Sequence, residues 1–107
     1  MKSLSVIKFG GSLTKSPSAQ NKFLKETASA FKRENIILIH GGGLEINFYL
    51  EKFAVKSKFI KGLRYTDAAA LEIVETVLSG KVNKTLVGGL IKNGANAVGI
   101  SGKDAKS

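Results

Sequence analysis

The sequence predicts an α/β fold with a mostly parallel sheet, on three observations. Apolar stretches of strand length alternate with stretches whose apolar residues recur at helical spacing. The run Ile36-Ile37-Leu38-Ile39 is four consecutive apolar residues, three of them β-branched, and reads as a strand buried on both faces. Each predicted strand also runs into a glycine-containing turn: Gly10-Gly11, Gly41-Gly42-Gly43 and Gly102. In a parallel sheet with helices on both faces, such turns gather at the carboxyl ends of the strands, where ligands sit. The expected architecture is therefore a three-layer αβα sandwich.

Residues 5–9 form the first predicted strand. Residues 14–20 are polar, contain the only proline, Pro17, and lead into a helix for which Ser18 is the expected N-cap. Phe23, Leu24, Thr27, Ala28 and Phe31 recur at helical spacing, and Lys32-Arg33-Glu34-Asn35 is the polar stop. After the second strand and its glycine triplet, residues 44–53 read as a helix, with Leu44, Phe48, Leu50 and Phe53 as its buried stripe. Residues 54–65 show no helical stripe. Short apolar runs on either side of Gly62 predict an irregular β-hairpin.

Thr66 is the expected cap of the next helix, with Asp67 in its first turn. Leu71, Val74, Val77 and Leu78 share a face there, and Gly80 is the expected end. Val82, Leu86, Leu90 and Ile91 mark a further helix that stops at Asn93-Gly94. Its internal pair Gly88-Gly89 costs about 1 kcal/mol per glycine relative to alanine, which implies close packing at that point. Residues 95–100 are the third predicted strand, followed by Ser101-Gly102-Lys103-Asp104.

Composition narrows the function classes. The chain has 107 residues, enough for one small domain, and is 43% hydrophobic, too much for a disordered segment. No apolar run approaches the roughly 18 residues of a membrane span. The first residues lead straight into a strand, so no signal peptide is expected and a cytoplasmic location is. The absence of cysteine excludes a disulfide scaffold and cysteine-ligated metal, and a single histidine excludes a histidine-rich metal site. A net charge of +9 favours an anionic partner. Lys52, Lys56, Lys58, Lys61 and Arg64 cluster, but no nucleic-acid motif accompanies them, so nucleic acid is not the expected partner.

Few residues carry chemistry. Lys8, at the end of a strand beside Gly10 and Gly11, can lay its ammonium against a phosphate; the bland alternative is a tight turn with a solvated lysine. The order of residues is neither a Walker A loop nor Gly-x-Gly-x-x-Gly. Gly41, Gly42 and Gly43 are a stronger signal. Three glycines between strand and helix lose entropy on folding, and close approach by an anion to bare backbone N–H groups is the natural gain. His40 is expected to be a partly buried histidine bonded to backbone, with general base as the sharper alternative. Arg64 can grip a carboxylate with its guanidinium fork. Asn83 reads as a helix cap, and Lys103 and Asp104 as turn residues.

Taken in order, Val6-Ile7-Lys8-Phe9-Gly10-Gly11-Ser12, Ile39-His40-Gly41-Gly42-Gly43, Gly62-Leu63-Arg64-Tyr65-Thr66-Asp67, Gly80-Lys81-Val82-Asn83-Lys84 and Val98-Gly99-Ile100-Ser101-Gly102-Lys103-Asp104 form a series. It resembles the N-terminal half of the amino acid kinase family, in particular its acetylglutamate-phosphorylating branch. The resemblance covers essentially the whole chain and implies an open αβα sandwich. It implies ATP-dependent phosphorylation of the side-chain carboxylate of N-acetyl-L-glutamate, with Mg2+ accompanying the nucleotide.

By the same resemblance Lys8 is the catalytic lysine that stabilises the transferring phosphoryl group. Gly10, Gly11 and Gly41 bind phosphate, Gly42 and Gly43 bind substrate and donate N–H groups to phosphoryl oxygens, and Arg64 binds a substrate carboxylate. No metal-ligating residue is implied. The hairpin is the flap over the acetylated amino acid. Leu44 departs from the family where a proline often follows the triplet. Residues 1–107 then correspond to the substrate-binding part, and the ATP-binding part, with its second lysine, aspartate and asparagine, is expected to be absent. A truncated, inactive half that forms a homodimer is the expectation. A kinase of carrier-linked aminoadipate and a non-catalytic acidic-metabolite module are the alternatives.

Overall fold

The computed structural model describes residues 2–10, 16–56 and 58–106. Strands β1 (Leu4–Phe9) and β2 (Asn35–His40) pair in parallel, with Val6 beside Ile37 and Phe9 beside His40. Helix α1 (Pro17–Ala30) connects them, which makes a βαβ unit. In this register Ser5, Ile7 and Phe9 share one side with Ile36, Leu38 and His40, and all six are buried or half-buried. The other side carries Leu4, Val6, Lys8, Ile37 and Ile39, all exposed.

The expectation of burial on both faces of residues 36–39 is thus corrected: Ile37 and Ile39 are 50% and 53% exposed. The molecule is a mixed α/β fold with a parallel sheet, as predicted. Only one side of that sheet, however, is covered by helices among the described residues. Phe9 meets Phe23 of α1 with ring centroids 5.2 Å apart, and His40 meets Asn83 on the same side.

Helix α1 starts two residues earlier than Ser18. Ser16 is the N-cap, its Oγ accepting from the Ala19 N–H at 3.2 Å. Pro17 explains the shift, because its fixed φ and missing N–H suit the first helical position and leave the cap to the residue before it. The helix closes at Phe31, and Asn35 instead opens β2, donating its N–H to the Ser3 carbonyl at 2.8 Å.

Helix α2 (Gly43–Lys52) buries Ile46 and Leu50, one turn apart. Of the predicted stripe only Leu50 is correct; Leu44, Phe48 and Phe53 are exposed. The two phenylalanines pack on half-buried Tyr49 instead, at 5.1 and 6.4 Å between centroids. The predicted hairpin is present as β3 (Lys58–Ile60) and β4 (Leu63–Tyr65). Its two turn residues, Lys61 (φ 50°) and Gly62 (φ 80°), are both left-handed, the backbone that a tight two-residue turn requires.

Asp67, not Thr66, caps α3 (Ala68–Glu75), its Oδ1 accepting from the Ala70 N–H at 2.8 Å. A carboxylate at that position satisfies the orphan donor and also opposes the positive helix end. Gly80 does not end the helix. A π-helical stretch, Thr76–Val82, carries α3 directly into α4 (Asn83–Lys92), and the residues at both junctions keep right-handed helical angles. Val77 and Val82 are both buried and lie five residues apart, one turn of an i→i+5 helix. Their burial outweighs the roughly 1 kcal/mol penalty of the intervening glycine.

Helix α4 stops at Asn93-Gly94 as predicted, with Gly94 left-handed at φ 93°. The core lies where α1 meets α4: Leu24 and Ala28 against Leu86 and Leu90, with Phe9 from the sheet. Close packing at the glycine pair is real but one-sided. A Cβ on Gly89 would come within 2.5 Å of Leu24 Cδ1, whereas one on Gly88 would meet nothing within 4 Å.

Residues 95–100 are not a third strand. They pair with neither β1 nor β2 among the described residues, and Val98 is 86% exposed. Side chains take up the backbone instead: Lys84 Nζ donates to the Gly99 carbonyl at 3.1 Å and Asn83 Nδ2 to that of Ile100 at 3.5 Å.

The glycine pair yields two predictions of opposite sign, both read from urea denaturation midpoints. Gly88→Ala raises stability by about 1 kcal/mol through helix propensity alone. Gly89→Ala lowers it by about 1–3 kcal/mol, because the new Cβ overpacks against Leu24, a buried core residue.

Candidate functional site

Parallel pairing brings Gly10 and the Gly41–Gly43 turn to the same edge of the sheet. Gly11, the second predicted phosphate-binding residue of the first turn, lies outside the described residues. Gly42 is buried and is the N-cap of α2 with an extended φ of 175°, so its backbone angle does not demand glycine. Proximity does: a Cβ there would lie 2.8 Å from Leu78 Cδ2 and 3.1 Å from Val82 Cγ2, both on the π-helical turn. Gly41 and Gly43 are exposed, and a Cβ on either would meet nothing within 4 Å.

Among the described residues no side-chain hydrogen bond caps α2, whereas Ser16 and Asp67 cap α1 and α3. The first turn of α2 places its N–H groups at the positive end of the helix. The glycine turn joins the end of β2 to the start of α2, the strand-to-helix connection expected of it.

Lys8 stands in register with Ile39, on the exposed side of the sheet and opposite to His40. Arg64 lies on β4, where its guanidinium carbon sits 4.8 Å from the Phe59 ring of the paired strand. Its Nη2 donates to Asn47 Oδ1 at 2.6 Å. That contact ties the hairpin to α2, the helix that begins at the glycine turn. Lys8 is thus one strand position short of the turn's edge, and Arg64 is tied to α2 through Asn47.

His40 is half-buried and bonded to backbone as expected, with Nδ1 2.9 Å from the Gly41 carbonyl oxygen. Its Nε2 lies 3.1 Å from Asn83 Nδ2. Asn83 caps no helix, since Val82 and Asn83 are both helical; it is a buried crosslink between α4, His40 and residues 99–100. Asp104 closes a turn by accepting from the Ser101 N–H at 2.7 Å, as predicted. Lys103 pairs with Glu75 of α3 at 2.7 Å, an exposed ion pair of small energetic weight.

Sequence reasoning gave no role to Glu45 or Asn47. Glu45, in the first turn of α2, buries its Oε2 without a hydrogen-bond partner among the described residues. It lines a cavity of 170 Å³ with Phe9, Gln20, Lys81 and Thr85. A larger cavity, 410 Å³, lies at the opposite, amino end of the sheet, between Lys2, Phe31 and Asn35. Among the described residues no group of three or more His, Asp or Glu side chains could hold a metal ion. No helix among them is long and apolar enough to cross a membrane.

The model of the amino acid kinase family matches residues 3–107. The acetylglutamate kinase of Endomicrobium trichonymphae is 67% identical across all of this chain, which spans 43% of that protein. The acetylglutamate kinase of Campylobacter curvus is 46% identical over 101 residues, covering 94% of this chain and 36% of the relative. In both the match falls in the N-terminal part of the relative, so the chain spans less than half their length. A crystal structure, smu.665 from Streptococcus mutans UA159, superposes with a TM-score of 0.68 at 34% identity, covering 88% of this chain and 38% of that one. The chain belongs to the amino acid kinase family.

Proposed function

We propose that these residues form the acyl-substrate side of a cytoplasmic kinase that phosphorylates the side-chain carboxylate of N-acetyl-L-glutamate. One observation carries the reading: an uncapped helix N-terminus at Gly42-Gly43, with Arg64 tied to the same helix through Asn47. The first offers backbone donors to phosphoryl oxygens and the second offers a fork to a carboxylate. The 67% identity to an acetylglutamate kinase supports this substrate over carrier-linked aminoadipate.

In the proposed reaction a carboxylate oxygen of N-acetyl-L-glutamate forms a bond to the γ-phosphorus of ATP. The bond from that phosphorus to the β,γ-bridging oxygen breaks, and ADP leaves with the electron pair. Charge spreads over the equatorial oxygens as this happens, and preorganised donors lower the barrier. Gly42 and Gly43 supply N–H groups to those oxygens and Gly41 completes the turn, while Gly10 and Gly11 approach the nucleotide phosphates. Lys8 contributes the positive charge, and Arg64 fixes the substrate through its other carboxylate. The described residues do not fit a protein-held Mg2+, because they hold no carboxylate cluster. The remaining nucleotide contacts belong to the part of the relatives that this chain does not span.

Calorimetry with N-acetyl-L-glutamate tests the substrate assignment. The chain binds it, and Arg64→Ala weakens binding roughly tenfold or more, the loss of a charge-assisted pair. Equal affinities in the two proteins would contradict the role of Arg64. A polypeptide of these 107 residues alone releases no ADP in the presence of ATP and N-acetyl-L-glutamate; measurable turnover would refute the division of the site. We also propose a homodimer, because the exposed apolar residues of the chain favour self-association. Light scattering is expected to give twice the chain mass, and a monomer at high concentration would exclude it.

A further inference from the structure

We propose that Lys84, Asn83 and His40 form a one-way hydrogen-bond relay that holds His40 as the neutral, Nδ1-protonated tautomer and so positions the Gly41 carbonyl at the head of the glycine turn. Its bearing on catalysis rests on the kinase reading above; the relay itself does not. An ammonium group has donors only, and Lys84 Nζ lies 3.0 Å from one end of the Asn83 amide and 3.1 Å from the Gly99 carbonyl oxygen. The amide atom it meets is therefore the oxygen.

That contact orients the whole side chain, so the NH2 group faces the other way. Asn83 Nδ2 is 3.1 Å from His40 Nε2 and 3.5 Å from the Ile100 carbonyl oxygen. An amide nitrogen can only donate, so Nε2 accepts and carries no proton. A neutral imidazole then has its proton on Nδ1, which lies 2.9 Å from the Gly41 carbonyl oxygen, an acceptor only. Every link runs donor to acceptor in one direction. Reversing the amide would set the Lys84 ammonium against an NH2 group.

The surroundings keep the relay in place. Asn83 is 8% exposed, and the π-helical stretch that ends at Val82 sets the face on which Asn83 emerges. Gly99 is a companion requirement, since a Cβ there would run into Asn83 Oδ1 and lie 2.8 Å from both Asn83 Cγ and Val87 Cγ2. With its Nε2 lone pair held by Asn83, His40 is a positioning residue and not a general base. Asn83 and Lys84 act on the turn through it.

Nitrogen-15 NMR of the imidazole, on the full chain, tests this directly. The expected spectrum has Nδ1 protonated and Nε2 bare. Asn83→Asp replaces the facing donor with an acceptor of the same shape, and Nε2 gains a proton. Lys84→Met, at an exposed position that leaves the core untouched, frees the amide and moves the Nε2 signal toward the protonated value. It also shifts the Gly42 amide resonance. A bare Nε2 that persists in Asn83→Asp, or an Nε2-protonated ring in the parent chain, would overturn the relay. An unchanged spectrum in Lys84→Met would remove Lys84 from it. The predicted tautomers together with no N-acetyl-L-glutamate binding would leave the relay standing and sink the substrate reading.

Discussion

The close approach of the Gly42 backbone to the π-helical turn is the constraint on which the rest of the structure depends. Leu78 and Val82 press against a residue with no side chain, and any Cβ at Gly42 would push them away. This contact anchors the start of α2 against the long α3–α4 helix. It also lets Val77 and Val82 stay on the core through the inserted residue. The next position, Asn83, is thereby delivered to His40. Sheet edge, glycine turn and long helix are joined at one place.

Division of labour among the glycines follows from the same contact. Gly42 is needed because a neighbour is close, and Gly99 because Asn83 is close. Gly41 and Gly43 have open space around them among the described residues, whose packing does not explain them. Free space beside uncapped helix N–H groups suits an incoming anion. Packing thus explains Gly42, and the proposed binding role falls to its neighbours Gly41 and Gly43.

Much of this was legible in the residues. Alternating strand and helix periods predicted the βαβ unit, and Gly62 between short apolar runs predicted the hairpin. The glycine triplet marked the head of α2, and Arg64 fell beside that helix. Other features were not legible, for physical reasons. Four apolar residues in a row cannot reveal that one side of β2 is left without cover among the described residues, because periodicity records character and not neighbours. Gly80 reads as a stop in any local scheme, and only the tertiary burial of Val77 and Val82 carries the helix past it. Residues 95–100 have strand composition, yet Asn83 and Lys84 hold two of their carbonyls. Asn83 itself looks like a cap until the fold places it opposite a histidine 43 positions away.

Amide and guanidinium chemical-shift mapping during titration with N-acetyl-L-glutamate tests the central claim most directly. The largest shifts are expected at the Gly42 and Gly43 N–H groups and at the Arg64 guanidinium. Shifts confined to the amino end of the sheet, around Lys2, Phe31 and Asn35, would contradict the claim that the glycine turn is the acyl-substrate site.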